Sequence, residues 1–310
     1  MAMTGLLRLG EVGIRVLDIE EAQRHYDEYL GLHQTMKDSE GRLYFKTWDE
    51  HDHHCLVVRQ ADRPGIDYFA FKVASDATLD ELEPKIRDFG LDVEHIDAGV
   101  FPKSGRRIQF ELATGHTMQL YAEKEQLGNN MPTRNPGTIP DEGVIRGLRI
   151  IRLDHVLLGG VDVEGPARLF REVFGFTESE KLIDADSEES LVVFLSGSTK
   201  PHDVAFVKTP DQNKLHHISF LIESVNDIYH AADVIGKYRI PVDVGPTRHG
   251  LTRGATIYFF DPPGNRNEVF CGGYVYYPDN PTLIWDTSEV GPATFAHDNL
   301  PRDSFMNVLT

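Results

Sequence analysis

The chain repeats itself. From Glu11 it reads E-V-G-I-R-V-L-D-I-E-E-A-Q-R-H-Y-D-E-Y-L-G-L, and from His155 it reads H-V-L-L-G-G-V-D-V-E-G-P-A-R-L-F-R-E-V-F-G-F. Each copy runs as a strand, a turn, an amphipathic helix and a Gly-apolar exit, and the step from Glu11 to Gly31 equals that from His155 to Gly175. A second pairing sets Y-F-A-F-K-V from Tyr68 against H-I-S-F-L-I from His217. A third sets I-Q-F-E-L-A-T-G-H-T-M-Q-L-Y from Ile108 against I-Y-F-F-D-P-P-G-N-R-N-E-V-F from Ile257, so that Gly115 matches Gly264 and Gln119 matches Glu268. The interval from Tyr68 to Gln119 equals that from His217 to Glu268, 51 residues in each. Equal spacing over three blocks means that both halves share one fold and that a difference between matched positions is informative.

Between the halves, L-G-N-N-M-P-T-R-N-P-G-T-I-P-D-E-G (Leu127 to Gly143) carries the Pro, Gly and Asn of a connector rather than a packed element. Amphipathic helices are expected near Ile19–Tyr29, Leu79–Phe89, Glu164–Phe174 and Val225–Lys237, with alternating strands between them. The expected class is α+β, with two βαβββ modules in each half. The division expected is an N-terminal domain over 1–130, a linker over 131–148, a C-terminal domain over 149–286 and a tail over 287–310. The aromatic, irregular segment from Thr287 is expected to cover part of a cavity.

At 310 residues the chain is long enough for two substantial cores. A formal charge of -18 repels nucleic acid and anionic membrane, so neither is an expected partner. The N-terminus M-A-M-T-G-L-L-R-L-G lacks the apolar core of a signal peptide, and no run approaches the roughly 20 apolar residues that span a bilayer. Cys55 and Cys271 are far apart in sequence and read as buried small apolar residues. A cytoplasmic protein is expected.

The stretch from Thr247 to Glu268, T-R-H-G-L-T-R-G-A-T-I-Y-F-F-D-P-P-G-N-R-N-E, holds a histidine, a strand with a tyrosine in it, a D-P-P-G turn and a carboxylate opening the next strand. Residue by residue it resembles the signature of the extradiol ring-cleaving dioxygenases. The resemblance extends over essentially the whole chain, most strongly from Asp154 to Tyr274. It implies the vicinal oxygen chelate fold, in which paired βαβββ modules curve around a cavity. It also implies cleavage of catechol or a methylcatechol by dioxygen at a mononuclear non-haem Fe(II), giving 2-hydroxymuconate semialdehyde, and a homotetrameric assembly.

The repeat points to the metal. Where the C-terminal half has His155, His217 and Glu268, the N-terminal half has Glu11, Tyr68 and Gln119. Two imidazoles and one carboxylate make the facial set that suits Fe(II) and leaves positions open for a diol and dioxygen; the same ligand types also accept Mn(II). The metal is therefore expected at His155, His217 and Glu268. Strand alternation places His216, Ile218, Phe220 and Ile222 on one face and His217, Ser219 and Leu221 on the other, so His216 is expected to point away from the cavity. Taken singly, His155 reads as an interior histidine and Glu268 as a partner for Arg266 or Arg253. A second cluster, Glu50 with H-D-H-H from His51 to His54, sits between two apolar runs and is expected at a solvated hairpin tip, where it would bind nickel or zinc only adventitiously.

The resemblance makes His202 the acid–base histidine, a role suited to an imidazole whose ordinary pKa of about 6.5 lies close to working pH. It makes His249 and Tyr258 hydrogen-bonding partners of the substrate oxygens, and Phe194 a wall of the ring pocket. Leu251 and Thr252, beside His249, are expected to shape the space for ring substituents. Three alternatives stay open: a dioxygenase for a bulkier or carboxylated catechol, the latter using Arg248 or Arg253; a glyoxalase-like isomerase with two carboxylate ligands; and a ring-binding protein without catalysis.

Overall fold

The computed structural model describes residues 5–141 and 143–310; the first four residues of the N-terminal stretch read above lie outside it. Four βαβββ modules follow one another along the chain. The first contains β1 (Leu6–Val16), α1 (Ile19–Gln23) running into a π-helical turn (Arg24–Tyr29), β2 (His33–Lys37), β3 (Leu43–Lys46) and β4 (Leu56–Gln60). The second contains β5 (Gly65–Val73), α2 (Asp76–Asp88), β6 (Glu94–Ile96), β7 (Arg107–Glu111) and β8 (Thr117–Tyr121). The third contains β9 (Arg152–Gly160), α3 (Glu164–Glu172), β10 (Thr177–Ile183), β11 (Ser190–Ser196) and β12 (Val204–Lys208). The fourth contains β13 (Lys214–Leu221), α4 (Val225–Tyr238), β14 (Val242–Arg248), β15 (Gly254–Phe260) and β16 (Arg266–Gly272). The tail adds β17 (Leu283–Asp286) and two short helices, α5 (Val290–Thr294) and α6 (Asp303–Asn307).

Each pair of modules shares one sheet. The first has the order β2-β3-β4-β1-β5-β8-β7-β6, and the second β14-β15-β16-β13-β9-β12-β11-β10-β17. In both, the opening strands of the two modules pair antiparallel at the centre, and each also lies parallel to the last strand of its own module. The matched sequence blocks thus occupy matched strands. The glycines they share have a common backbone reason: Gly31 and Gly175 leave their helices at φ 83° and 69°, and Gly115 and Gly264 close hairpins at φ 76° and 103°, a region that side chains with a Cβ rarely enter.

The four helices cover one face of the sheets. Asp18 caps α1 by accepting from the Glu20 and Glu21 amides, and Ser75 caps α2 through the Thr78 amide. One continuous buried cluster runs through both halves, with Phe71 edge-on to Phe170 and Phe176 at 5.8 and 5.7 Å between ring centroids. Each such buried side chain contributes about 1.5–3 kcal/mol of transfer free energy. Polar ties add to the contact between halves. Tyr26 donates to Asp261 at 3.0 Å, and the Asn265 amide donates to the Arg15 carbonyl at 2.9 Å. The connecting segment is largely exposed from Pro132 to Asp141, then packs back where Leu148 donates its amide to the Leu30 carbonyl. Cys55 and Cys271 are both free thiols in this core.

Strict alternation fails at two places where β9 pairs with β13, and both matter. On β13, Leu215 pairs with Leu158 while His217 pairs with the next residue, Leu157, so His216 is an extra residue in the ladder. On β9, His155 and Leu153 pair with consecutive residues Ser219 and Phe220, so Asp154 is extra. The N-terminal sheet has the same breaks at Gly10 and Asp67. The repeat therefore preserved four β-bulges while the residues in them diverged.

Candidate metal centre

His155 on β9, His217 on β13 and Glu268 on β16 stand on three adjacent strands. Ser219 explains how they converge. It lies directly across from His155 on one side and from Glu268 on the other, and His217 is two residues away on the same face. A small side chain there leaves room above it for the three larger ones. The ligand atoms lie within 4.8 Å of one another, and all three residues are buried. Nε2 of His155 is 3.1 Å from Glu268 Oε2 and 3.4 Å from His217 Nε2. Glu268 Oε2 has no properly directed hydrogen bond of its own, although it is buried. Convergent lone pairs with an orphaned carboxylate oxygen fit a divalent cation, because leaving them unpaired away from water is costly.

The surrounding groups set the protonation of the ligands. Burial alone would raise the Glu268 carboxyl, yet His155, His249 and His217 beside it hold it well below the usual carboxylate range. Its other oxygen accepts from Thr256 Oγ1 at 2.5 Å. Burial pushes His217 well below the ordinary imidazole range, which leaves a neutral ligand. His155 donates from Nδ1 to Asp154 Oδ2 at 2.8 Å, and Lys200 balances Asp154 from 3.2 Å. A carboxylate behind a ligating imidazole orients the ring and raises its basicity. Arg266 does not pair with Glu268; it is bound to Asp243 at 2.9 Å.

The other expected site residues line the same cavity: His202, His249, Tyr258, Phe194, Leu251 and Thr252. The His202 ring lies 4.0 Å from that of His155 and 4.9 Å from Phe194, and its buried Nδ1 has no partner. Burial pushes His202 well below the ordinary 6.5, so the free site holds a neutral imidazole rather than one titrating near working pH. His249 Nε2 meets the Tyr258 hydroxyl at 2.8 Å, and its Nδ1 bonds the Thr294 carbonyl. A carbonyl only accepts, so Nδ1 carries the proton and Nε2 accepts from Tyr258. Leu251 and Thr252 sit in a loop where Thr252 and Arg253 have φ of 57° and 62°, a left-handed conformation unusual for a β-branched residue. A buried carboxylate, Glu180, holds that loop. It accepts from the Thr252 amide at 2.9 Å, from Tyr274 at 3.0 Å and from the Trp285 indole at 2.9 Å. The tail closes the cavity with Val290, Thr294, Phe305 and Met306.

Two expectations are corrected. His216 does not point away: Leu215 and Ile218 both lie in the core, so the bulge turns His216 to the cavity side with His217. The cluster at Glu50 and His51 to His54 is not a solvated tip. Glu50, Asp52, His53 and His54 are buried, and His54 Nε2 lies 3.3 Å from Glu11. The equivalents of the metal ligands explain this. Glu11 is met by Arg107 at 2.8 Å, by Lys124 and by the Tyr68 hydroxyl, while Arg107 also donates to Gln119 at 2.9 Å. Side-chain cations balance the carboxylate there. Asp154, Thr256, Ser219 and Glu180 were not singled out from the sequence. The repeat held a signal for Ser219, which matches Ala70 between the same neighbours.

Residues 66–125 match the family described as the catechol 2,3-dioxygenase-like N-terminal domain. Residues 152–269 match the glyoxalase/bleomycin resistance protein/dioxygenase superfamily. The metapyrocatechase of Pseudomonas sp. (strain CF600) is 44% identical over 307 residues, covering 99% of both chains. The chain belongs to the extradiol ring-cleaving dioxygenases. The 2,3-dioxygenase LapB from Pseudomonas sp. KL28 superposes with a TM-score of 0.91 at 45% identity, covering 93% of this chain and 99% of that one. Homoprotocatechuate 2,3-dioxygenase from Arthrobacter globiformis gives a TM-score of 0.87 at 26% identity, covering 99% and 92%. A manganese-dependent 2,3-dihydroxybiphenyl 1,2-dioxygenase from Geobacillus genomosp. 3 is 23% identical over 92% of this chain and 91% of that one. The fold is that of the vicinal oxygen chelate superfamily, and the extradiol dioxygenase assignment makes the protein an enzyme that opens catechols beside the diol.

Proposed function

We propose that the protein is an Fe(II)-dependent catechol 2,3-dioxygenase acting on catechol or small alkylcatechols, with 2-hydroxymuconate semialdehyde as the product from catechol. The observation that carries the substrate class is the cavity wall. Beyond the polar groups at the metal centre it is built from apolar side chains such as Leu157, Val192, Phe194 and Leu251, and no Lys or Arg is among its lining residues. A ring carboxylate would enter without a cation to pair with, at a cost of several kcal/mol. Arg248 is turned to the Arg253 carbonyl and Arg253 lies over Tyr274, so neither supplies one. The metal-binding group contains one carboxylate, against the two of the isomerase reading.

His155, His217 and Glu268 would hold the iron, which when bound supplies a Lewis-acidic site for the diol and an electron path to dioxygen. His202, neutral and unpartnered at Nδ1, takes up a diol proton and returns it as the ring opens. Tyr258 turns its one hydroxyl proton from His249 Nε2 to the substrate oxygen as negative charge develops there. Phe194 and Leu251 hold the ring and exclude water, and Thr252 limits its substituents. No helix among the described residues is long and apolar enough to cross a membrane; the reading places the enzyme in the cytoplasm as a homotetramer.

The test is anaerobic loading with Fe(II), or with Mn(II) in parallel, followed by catechol and then air. Uptake of one dioxygen per catechol with a yellow product is expected with iron. His217→Ala is expected to lose iron, whereas His202→Ala keeps iron and diol binding but turns over at least about 100-fold more slowly. Equal iron loss in both variants refutes the division of roles, and iron binding without oxygen uptake refutes the substrate assignment.

A further inference from the structure

We infer that His216 is a positioning residue for the metal, which fixes the tautomer of the ligand His217 and ties it to the C-terminal tail. The inference rests on the reading of His155, His217 and Glu268 as a metal site.

The bulge on β13 brings two consecutive imidazoles to the same face, and their Nδ1 atoms lie 2.8 Å apart. One of the two must carry the proton. Arg266 decides which: its NH1 lies 3.4 Å from His216 Nδ1 and donates to the His216 carbonyl at 3.0 Å. A guanidinium has no lone pair to offer, so the His216 Nδ1 facing it is the bare, accepting nitrogen. The shared proton therefore sits on His217 Nδ1. That leaves the His217 Nε2 lone pair directed at Glu268 and His155, 3.4 Å away from each. The remaining proton of His216 is on Nε2.

Both groups around His216 are anchored in the tail. Arg266 is fully buried, with Asp243 on its Nε at 2.9 Å and the Ser304 carbonyl on NH2 at 2.9 Å. The Phe305 ring stands edge-on to His216 at 4.7 Å. The path from tail to metal thus runs from Ser304 through Arg266, and from the Phe305 ring, to His216 and on to His217 Nδ1, and α6 docks where the ligand is oriented. The other bulge does the same for the other imidazole, since Asp154 meets Nδ1 of His155. In the N-terminal sheet the corresponding bulge residues are Gly10 and Asp67, and Asp67 is engaged by Arg15 and Arg59.

Dissociation constants for Fe(II), measured anaerobically by chelator competition on the full chain, test this without turnover. His216→Asn puts an amide oxygen where Nδ1 accepts and is expected to stay within about threefold of the parent. His216→Leu removes the acceptor and is expected to bind Fe(II) about 10- to 100-fold more weakly, the effect typical of losing the partner of a metal-bound imidazole. Should the Leu variant not fold, His216→Gln, whose amide reaches the Nε2 position instead, takes its place with the same expected loss. Equal affinity in all variants overturns the inference. Equal weakening of Asn and Leu overturns it too, because packing rather than the accepting atom would then be at work. A parent protein that fails to bind Fe(II) overturns the metal reading beneath it.

Discussion

Replacing Glu11 by glutamine tests whether buried cations do for the N-terminal sheet what a metal would do for the other. Glu11 is fully buried, with Arg107 NH2 at 2.8 Å and Lys124 also on Oε2. At an effective dielectric of about 20, one such pair is worth about 6 kcal/mol of attraction, offset by the desolvation of both ions. Glu11→Gln keeps the shape but turns one of two accepting oxygens into a donor and leaves two cations facing each other, and one uncompensated buried charge costs about 3–5 kcal/mol. Lys124 limits the loss by shedding its proton. Burial already holds it below its ordinary value, and in the parent Glu11 opposes that. In the variant its folded pKa drops further below the unfolded value of about 10.4. Between those two values the unfolded chain binds the more protons, so the variant's stability rises with pH and the deficit shrinks from pH 7 toward pH 10. Urea unfolding in a Trp285→Phe background, where Trp48 is the remaining indole, is followed from a probe within the N-terminal half. A deficit under about 1 kcal/mol at pH 7, or one that does not change with pH, refutes the reasoning.

Asp154→Asn keeps an acceptor for His155 but removes the charge behind it, and Fe(II) affinity is expected to fall about 10- to 100-fold by chelator competition; unchanged affinity counts against the role of Asp154. Glu180→Ala frees the loop carrying Leu251 and Thr252, so KM for catechol is expected to rise about tenfold with kcat within about twofold, as loss of one charged hydrogen bond predicts. A fall in kcat alone would show that Glu180 does something other than position the loop. Burial holds His116 down to about 4, so the unfolded chain takes up a proton below pH 6.5 that the folded one excludes. Its contribution is present above 6.5 and lost as pH falls toward 4, roughly 3 kcal/mol in all. His116→Gln is expected to flatten urea stability between pH 7 and 4.5 by most of that amount, and parallel slopes would refute it.

Much of the molecule was legible in the chain because duplication wrote it twice. Matched blocks at equal spacing located the strands, the helices and the three positions where Glu11, Tyr68 and Gln119 became His155, His217 and Glu268. Local chemistry carried this far: helices and strands have fixed periods, and ligand types follow from what a metal accepts. What the sequence did not determine depended on small departures from period and on neighbours distant in the chain. Alternation put His216 in the core, but the bulge adds one residue to the ladder, and a bulge shows only when the partner strand is known. The run His51 to His54 read as a surface tip because the carboxylate that His54 meets, Glu11, is 43 residues away in sequence. Glu180 and Thr256 carry no motif; each matters through what faces it. Sequence set which side chains were available, and the tertiary structure set which protons they hold, because burial and the one or two atoms within 3 Å decide that.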